Sequence, residues 1–101
     1  MKKLTLIVQA NAQKMLADVL RSIPKVQGFN FTHIEGHGAQ DEHDSTLSAR
    51  DRVVGYTPQV RVDIVLDDGD VATVLAALRD SGSVAGRGVY WVAALEEFGR
   101  V

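Results

Sequence analysis

Residues 58–82, PQVRVDIVLDDGDVATVLAALRDSG, decide the predicted fold because two different periodicities adjoin within them. From Val60 to Leu66 an apolar side chain stands at every second position, which predicts a β-strand with one buried face. Three aspartates follow, and apolar residues then recur at helical spacing until Gly82, a residue type that commonly ends a helix. The segment therefore predicts a strand that leads directly into an amphipathic helix.

The rest of the chain predicts three more strands and one more helix. Asn11 is a suitable N-cap for the first helix, and Pro24 follows its last apolar position and stops it. In chain order, the strands and helices are predicted at residues 2–9, 11–23, 26–36, 58–66, 67–82 and 88–95. The order βαββαβ is that of the ferredoxin-like fold, an α+β architecture in which both helices cover one face of an antiparallel sheet.

Composition excludes several classes of protein. The chain has 101 residues, a length typical of one domain, and 46% of them are hydrophobic. Its net charge of −2 argues against a nucleic-acid partner, and the absence of cysteine excludes disulfides and thiolate zinc sites. The apolar run LTLIV at residues 4–8 is too short for a membrane span or a signal peptide, so we expect a cytoplasmic protein without direct membrane insertion.

The connection between the second and third strands is unusually long. In this fold a hairpin of a few residues normally joins these strands, whereas about twenty residues, rich in charge and glycine, stand here. Loops of this length are usually functional or disordered. Two interpretations remain open, a disordered insertion or a binding loop that becomes ordered on a ligand or partner.

Several motifs resemble those of the PII signal-transduction family. Residues 26–40, VQGFNFTHIEGHGAQ, resemble its second strand and G-x-G-x-Q loop base, and residues 53–68, VVGYTPQVRVDIVLDD, resemble the end of its T-loop and its third strand. Residues 86–92, GRGVYWV, resemble its B-loop and fourth strand, and Arg100 follows at family-like spacing. The resemblance implies a single PII-like domain over residues 1–101, with a T-loop at about 38–57 and a C-terminal tail at about 96–101.

The resemblance also implies how the protein works. PII proteins are homotrimers that bind adenine nucleotides in clefts between subunits, and their T-loops regulate a membrane transporter or a cytosolic enzyme. One wall of the cleft would consist of Gly36, His37, Gly38 and Gln40, and the other of Gly86, Arg87, Gly88 and Arg100. Glycines let backbone N–H groups approach phosphate oxygens, and arginine supplies forked donors. By itself, however, the Gly-Arg-Gly sequence is also typical of a tight turn.

Departures from the family pattern indicate a different effector. Three cationic positions of the family hold Ala39, Gln59 and Val89 here, which removes contacts to polyphosphate or 2-oxoglutarate. The position of the nucleotidylated tyrosine holds Arg52, so that regulatory modification is absent. We therefore expect a PII-like protein outside core nitrogen control that binds ADP or AMP in preference to Mg-ATP.

The histidines suggest an alternative function. His33, His37 and His43 lie within eleven residues, and His33, Glu35 and His37 share one face if the strand continues that far. Imidazole and carboxylate groups suit divalent transition metals, so these four residues are a candidate metal site. The ending YWVAALEEFGRV and the GHG loop base are similar to a PII-like branch associated with heavy-metal efflux. The simpler interpretation is that His33 packs against the helices or a subunit while the other two are solvated.

The sequence does not favour an enzyme. It has no Ser-His-Asp order, no activated cysteine and no isolated pair of buried carboxylates. The one plausible activity is slow nucleotide hydrolysis, which some PII-like proteins show. A regulatory, non-enzymatic trimer is therefore the leading hypothesis, because packing three sheets about an axis would bury apolar residues on the face that the helices leave open.

Overall fold

The predicted elements are present in the predicted order. The computed structural model describes residues 1–37, 57–84 and 86–101. The elements are β1 (Lys2–Gln9), α1 (Gln13–Ser22), β2 (Phe29–Gly36), β3 (Thr57–Leu66), α2 (Val71–Ser81) and β4 (Val89–Ala94). The chain therefore has the predicted ferredoxin-like βαββαβ arrangement, and this prediction is confirmed.

The four strands form one antiparallel sheet in the order β2-β3-β1-β4, so β2 and β4 are its edges. The register pairs Gly36 with Thr57 and Ile7 with Val89. As a result, β1 and β2 end, and β3 and β4 begin, at the same end of the sheet. We call this the loop end, the end that carries Gly36, Thr57 and Val89.

The core lies between the sheet and the two helices. The strands contribute every second residue, and the helices contribute residues at three- and four-residue spacing. Its buried members are Leu4, Leu6, Val8, Leu16, Leu20, Ile23, Val60, Val62, Ile64, Leu66, Val74 and Leu78. Each fully buried leucine or valine stabilises the fold by about 1.5–3 kcal/mol relative to an exposed one. In the described part of the chain, no helix is long and apolar enough to cross a membrane.

The helix ends agree only partly with the sequence prediction. Asn11 is not the N-cap of α1, because it lies inside a 3-10 turn, Ala10–Ala12, that precedes the helix. Neither α1 nor α2 has a side-chain cap hydrogen bond at its start. The predicted stop at Gly82 is confirmed, since its φ of 72° is left-handed and its N–H bonds to the Arg79 carbonyl.

The other face of the sheet carries a polar network at its centre. The Thr5 hydroxyl, which is fully buried, donates to Asp63 at 2.8 Å, and the Arg61 Nε donates to the same carboxylate at 3.0 Å. Burial raises the pKa of Asp63, but the bonds from Arg61 and Thr5 and the charges of Arg61 and Lys3 outweigh it and leave the pKa below 3.8. The network therefore stabilises the ionised carboxylate.

We expect Asp63→Asn to lower the free energy of unfolding by about 0.5–1 kcal/mol at neutral pH, after allowance for solvent screening. Because the pKa of Asp63 is lower in the folded protein than in the unfolded chain, this stabilisation is fully present above the pKa of the unfolded chain. It is lost as pH falls through the pKa of the folded protein. Urea unfolding from pH 7 to pH 2.5 checks this. Asp18→Asn, on an exposed carboxylate, is the control. If the free energies of unfolding of Asp63→Asn and the parent differ by the same amount at all pH values, the ionised Asp63 carboxylate is not the source of the stabilisation.

Candidate ligand-binding site

Gly36 marks the base of the long loop. It is buried, and a Cβ at this position would overlap the side-chain carboxamide of Gln59, which lies over it. Its register partner Thr57 is only 4% exposed, and among the described residues the Thr57 hydroxyl has no hydrogen-bond partner. The loop base is therefore tightly packed and contains a buried hydroxyl that no described residue satisfies.

The histidines of the candidate metal site are only partly described. His37 Nε2 lies 3.2 Å from Glu35 Oε2, and both side chains are well exposed. His33 pairs in register with Val60 on the helix-facing side of edge strand β2, yet it is exposed and not packed under the helices. Within residues 1–37, 57–84 and 86–101, no three histidine or acidic residues form a metal-binding group. His43 lies outside the described residues, so the four-residue site stays a prediction.

The Gly-Arg-Gly segment also lies at the loop end. Gly86 has a left-handed φ of 71°, which favours glycine. A Cβ on Gly88 would stand 2.9 Å from the Val8 side chain and 3.1 Å from the Ile7 carbonyl oxygen, so only glycine lets the loop pass this close to β1. Arg87 is exposed and borders a small crevice of about 60 Å³ with the polar residues Gln9 and Asn11.

The proposed cleft residues fall into two groups within one chain. The fold places Gly36 and His37 at the same end of the sheet as the segment from Gly86 to Gly88. Arg100 is not beside them, because β4 leads to the opposite end, where the Leu95 N–H bonds to the Met1 carbonyl. Gly38 and Gln40 lie outside the described residues. The grouping of Arg100 with Gly86, Arg87 and Gly88 in a cleft between subunits therefore stays a prediction.

A larger cleft lies at the end of the sheet opposite the loop end. Its volume is about 600 Å³, within the range of small-molecule sites. Lys3 and Asp63 border it from the sheet, Lys25 from the connection after α1, and Phe98 from the C-terminal tail. Sequence reasoning missed this cleft, because residues so far apart in the chain carry no shared local pattern.

Comparison with known proteins gives matches over the full length. A family model described as "Protein of unknown function (DUF3240)" matches residues 1–101. The nitrogen regulatory protein P-II of Rhizobium meliloti (strain 1021) is 28% identical over 103 residues, covering all of this chain and 91% of the relative. That of Rhizobium leguminosarum bv. viciae is 30% identical over 98 residues, covering 93% of this chain and 88% of the relative.

A solved structure shares the fold. The crystal structure of a DUF3240 family protein from Shewanella baltica OS155, at 2.40 Å resolution, aligns with a TM-score of 0.77. The alignment covers 99% of this chain and 94% of that chain, at 20% sequence identity. This likeness supports the ferredoxin-like architecture.

The unsatisfied hydroxyl at the loop base leads to a stability prediction. We expect Thr57→Val to raise the free energy of unfolding by roughly 1 kcal/mol, because valine has the same shape and leaves no buried polar group without a partner. Thr57→Ser is the matched control, since it keeps the hydroxyl and loses the methyl group, and it should destabilise. Thermal and urea unfolding measure both variants. A Thr57→Val protein less stable than the parent would show that the hydroxyl has a partner.

Proposed function

The chain belongs to the DUF3240 family of proteins of unknown function and is a divergent relative of the PII proteins, and we propose that it is a PII-like regulatory protein. It binds a small effector, an adenine nucleotide, and acts on a membrane transporter or cytosolic enzyme through the segment between β2 and β3. The observation that carries this proposal is the full-length similarity to nitrogen regulatory proteins P-II.

The geometry of the loop end supports an effector site there. Gly36 and His37 stand at one edge of the sheet, and Gly86, Arg87 and Gly88 precede the strand at the other edge, all at the same end. Two such edges from neighbouring subunits can face each other across a cleft. Backbone N–H groups at the glycines and the Arg87 guanidinium suit phosphate oxygens. Because Ala39, Gln59 and Val89 supply no cation, ADP or AMP fits this site better than Mg-ATP with 2-oxoglutarate.

The surface of β4 supports assembly into a homotrimer. Four consecutive large apolar side chains on this edge strand, Val89, Tyr90, Trp91 and Val92, are 59%, 47%, 45% and 41% exposed. The strand VYWVAA contains no lysine or proline that would protect a free edge. Of these four, Val89 and Trp91 lie on the face that the helices leave open. Apolar exposure on such a face is typical of an interface, and copies of the same chain are the simplest partner.

Isothermal titration calorimetry with ADP, AMP, ATP and cyclic AMP tests the nucleotide site. Arg87→Ala should weaken binding at least tenfold, because one charge-assisted contact to phosphate is lost. Arg21→Ala, on an exposed arginine of α1, is the matched control and should leave affinity unchanged. Light scattering on the same samples should give the mass of a trimer.

Two results would reject parts of this proposal. If none of the four nucleotides binds at millimolar concentration, the adenine-nucleotide effector is wrong. If the protein is a monomer in solution, a cleft between subunits cannot form, and the effector site has to lie within one chain.

The contact between His37 and Glu35 favours metal binding as a second candidate function. A divalent transition metal held by His33, Glu35, His37 and His43 would link the protein to heavy-metal efflux. Titration with Zn²⁺, Cu²⁺, Ni²⁺ and Co²⁺ should give micromolar or tighter binding of at least one ion. The triple variant His33→Ala, His37→Ala, His43→Ala should lose that binding, whereas Glu97→Gln in the tail should retain it. Equal affinity of the triple variant and the parent would exclude the histidines as ligands.

A further inference from the structure

An apolar crevice opens on the helix-facing side of the sheet, next to the loop end. Its volume is about 240 Å³. Its floor consists of buried core side chains of β1 and α2, among them Leu6 and Leu78, and its sides include Leu75 and Val84. The crevice is therefore continuous with the hydrophobic core and reaches the surface beside β4.

The crevice exists because two glycines and an edge strand border it. Gly86 and Gly88 have no side chains that fill the space, and α2 leaves Tyr90 on the same side of β4 nearly half exposed. An apolar cavity of about 150 Å³ already accommodates benzene in proteins, so the larger volume here has room for a phenyl ring or a short alkyl chain.

Arg79 stands at the mouth of this crevice. Its guanidinium carbon is 5.6 Å from the centre of the Tyr90 ring, in cation–π distance. Stacking on a ring face leaves the in-plane N–H donors of a guanidinium available to a planar anion. Within the described parts of the chain, Arg79 forms no salt bridge and is the one charged residue that borders the crevice.

We propose that this crevice binds a small monocarboxylate with an apolar body. The carboxylate pairs with the guanidinium edge of Arg79, and the apolar body enters the space between Leu75, Val84 and the floor of the crevice. A nucleotide does not suit the same space, because apolar walls cannot replace the hydration of a polyphosphate. The site goes beyond the nucleotide proposal, since Arg79 and Arg87 border different crevices beside Gly88.

The test uses four probes that separate charge from apolar surface. Phenylacetate and hexanoate have both features, phenylacetamide has no charge, and succinate has no apolar body. We expect phenylacetate and hexanoate to bind in the millimolar range or tighter and to shift the methyl NMR signals of Leu75 and Val84. Phenylacetamide and succinate should bind at least tenfold more weakly.

Two variants locate the binding site. Arg79→Met keeps the apolar stem and removes the charge, so it should weaken phenylacetate binding about tenfold while leaving weak phenylacetamide binding unchanged. Arg21→Met is the matched control on α1, and equal thermal unfolding temperatures of parent and variants verify folding. Arg87→Ala should leave phenylacetate affinity unchanged, which makes this site and the nucleotide site separately testable.

Three outcomes would overturn the proposal. The first is that neither phenylacetate nor hexanoate binds at a concentration of about 10 mM. The second is equal affinity for phenylacetate and phenylacetamide, which would show that Arg79 does not select a carboxylate. The third is binding that shifts signals away from Leu75 and Val84, or that is as strong in Arg79→Met as in the parent.

Discussion

Two helices of ten and eleven residues can cover only one face of a four-stranded sheet, and most other features of this protein depend on that constraint. β1 lies at the centre of the sheet and pairs with both β3 and β4, so its alternate leucines and Val8 face the helices and enter the core. The remaining positions of the same strands face the uncovered side. The burial of one face and the exposure of the other thus follow from a single alternation.

The uncovered face combines two environments. At its centre, Thr5, Arg61 and Asp63 satisfy one another by hydrogen bonds, so burial of this region in an assembly would not leave an unpaired carboxylate. Toward β4, Val89 and Trp91 are exposed apolar groups without such partners. The uncovered face is therefore polar at its centre and apolar along the β4 edge.

The antiparallel register determines where the candidate site residues collect. Because β1 and β2 end where β3 and β4 begin, the base of the long loop and the Gly-Arg-Gly segment occupy one end of the sheet. At that end Gly88 lies against β1, with Arg87 bordering a polar crevice and Arg79 an apolar one. One close approach of the backbone therefore adjoins two different surfaces, each bordered by one arginine.

The sequence by itself determined the order of the elements, the buried residues of β3 and the end of α2 at Gly82, because periodicity and a left-handed stop are local properties. It also indicated the glycines of the loop end. It did not indicate that Asn11 lies in a 3-10 turn, that Arg79 stacks on Tyr90, or that Phe98 borders a cleft with Lys25. Only the tertiary structure decided these features, since they arise where strand pairing and helix packing bring distant residues together, and no local pattern encodes such a contact.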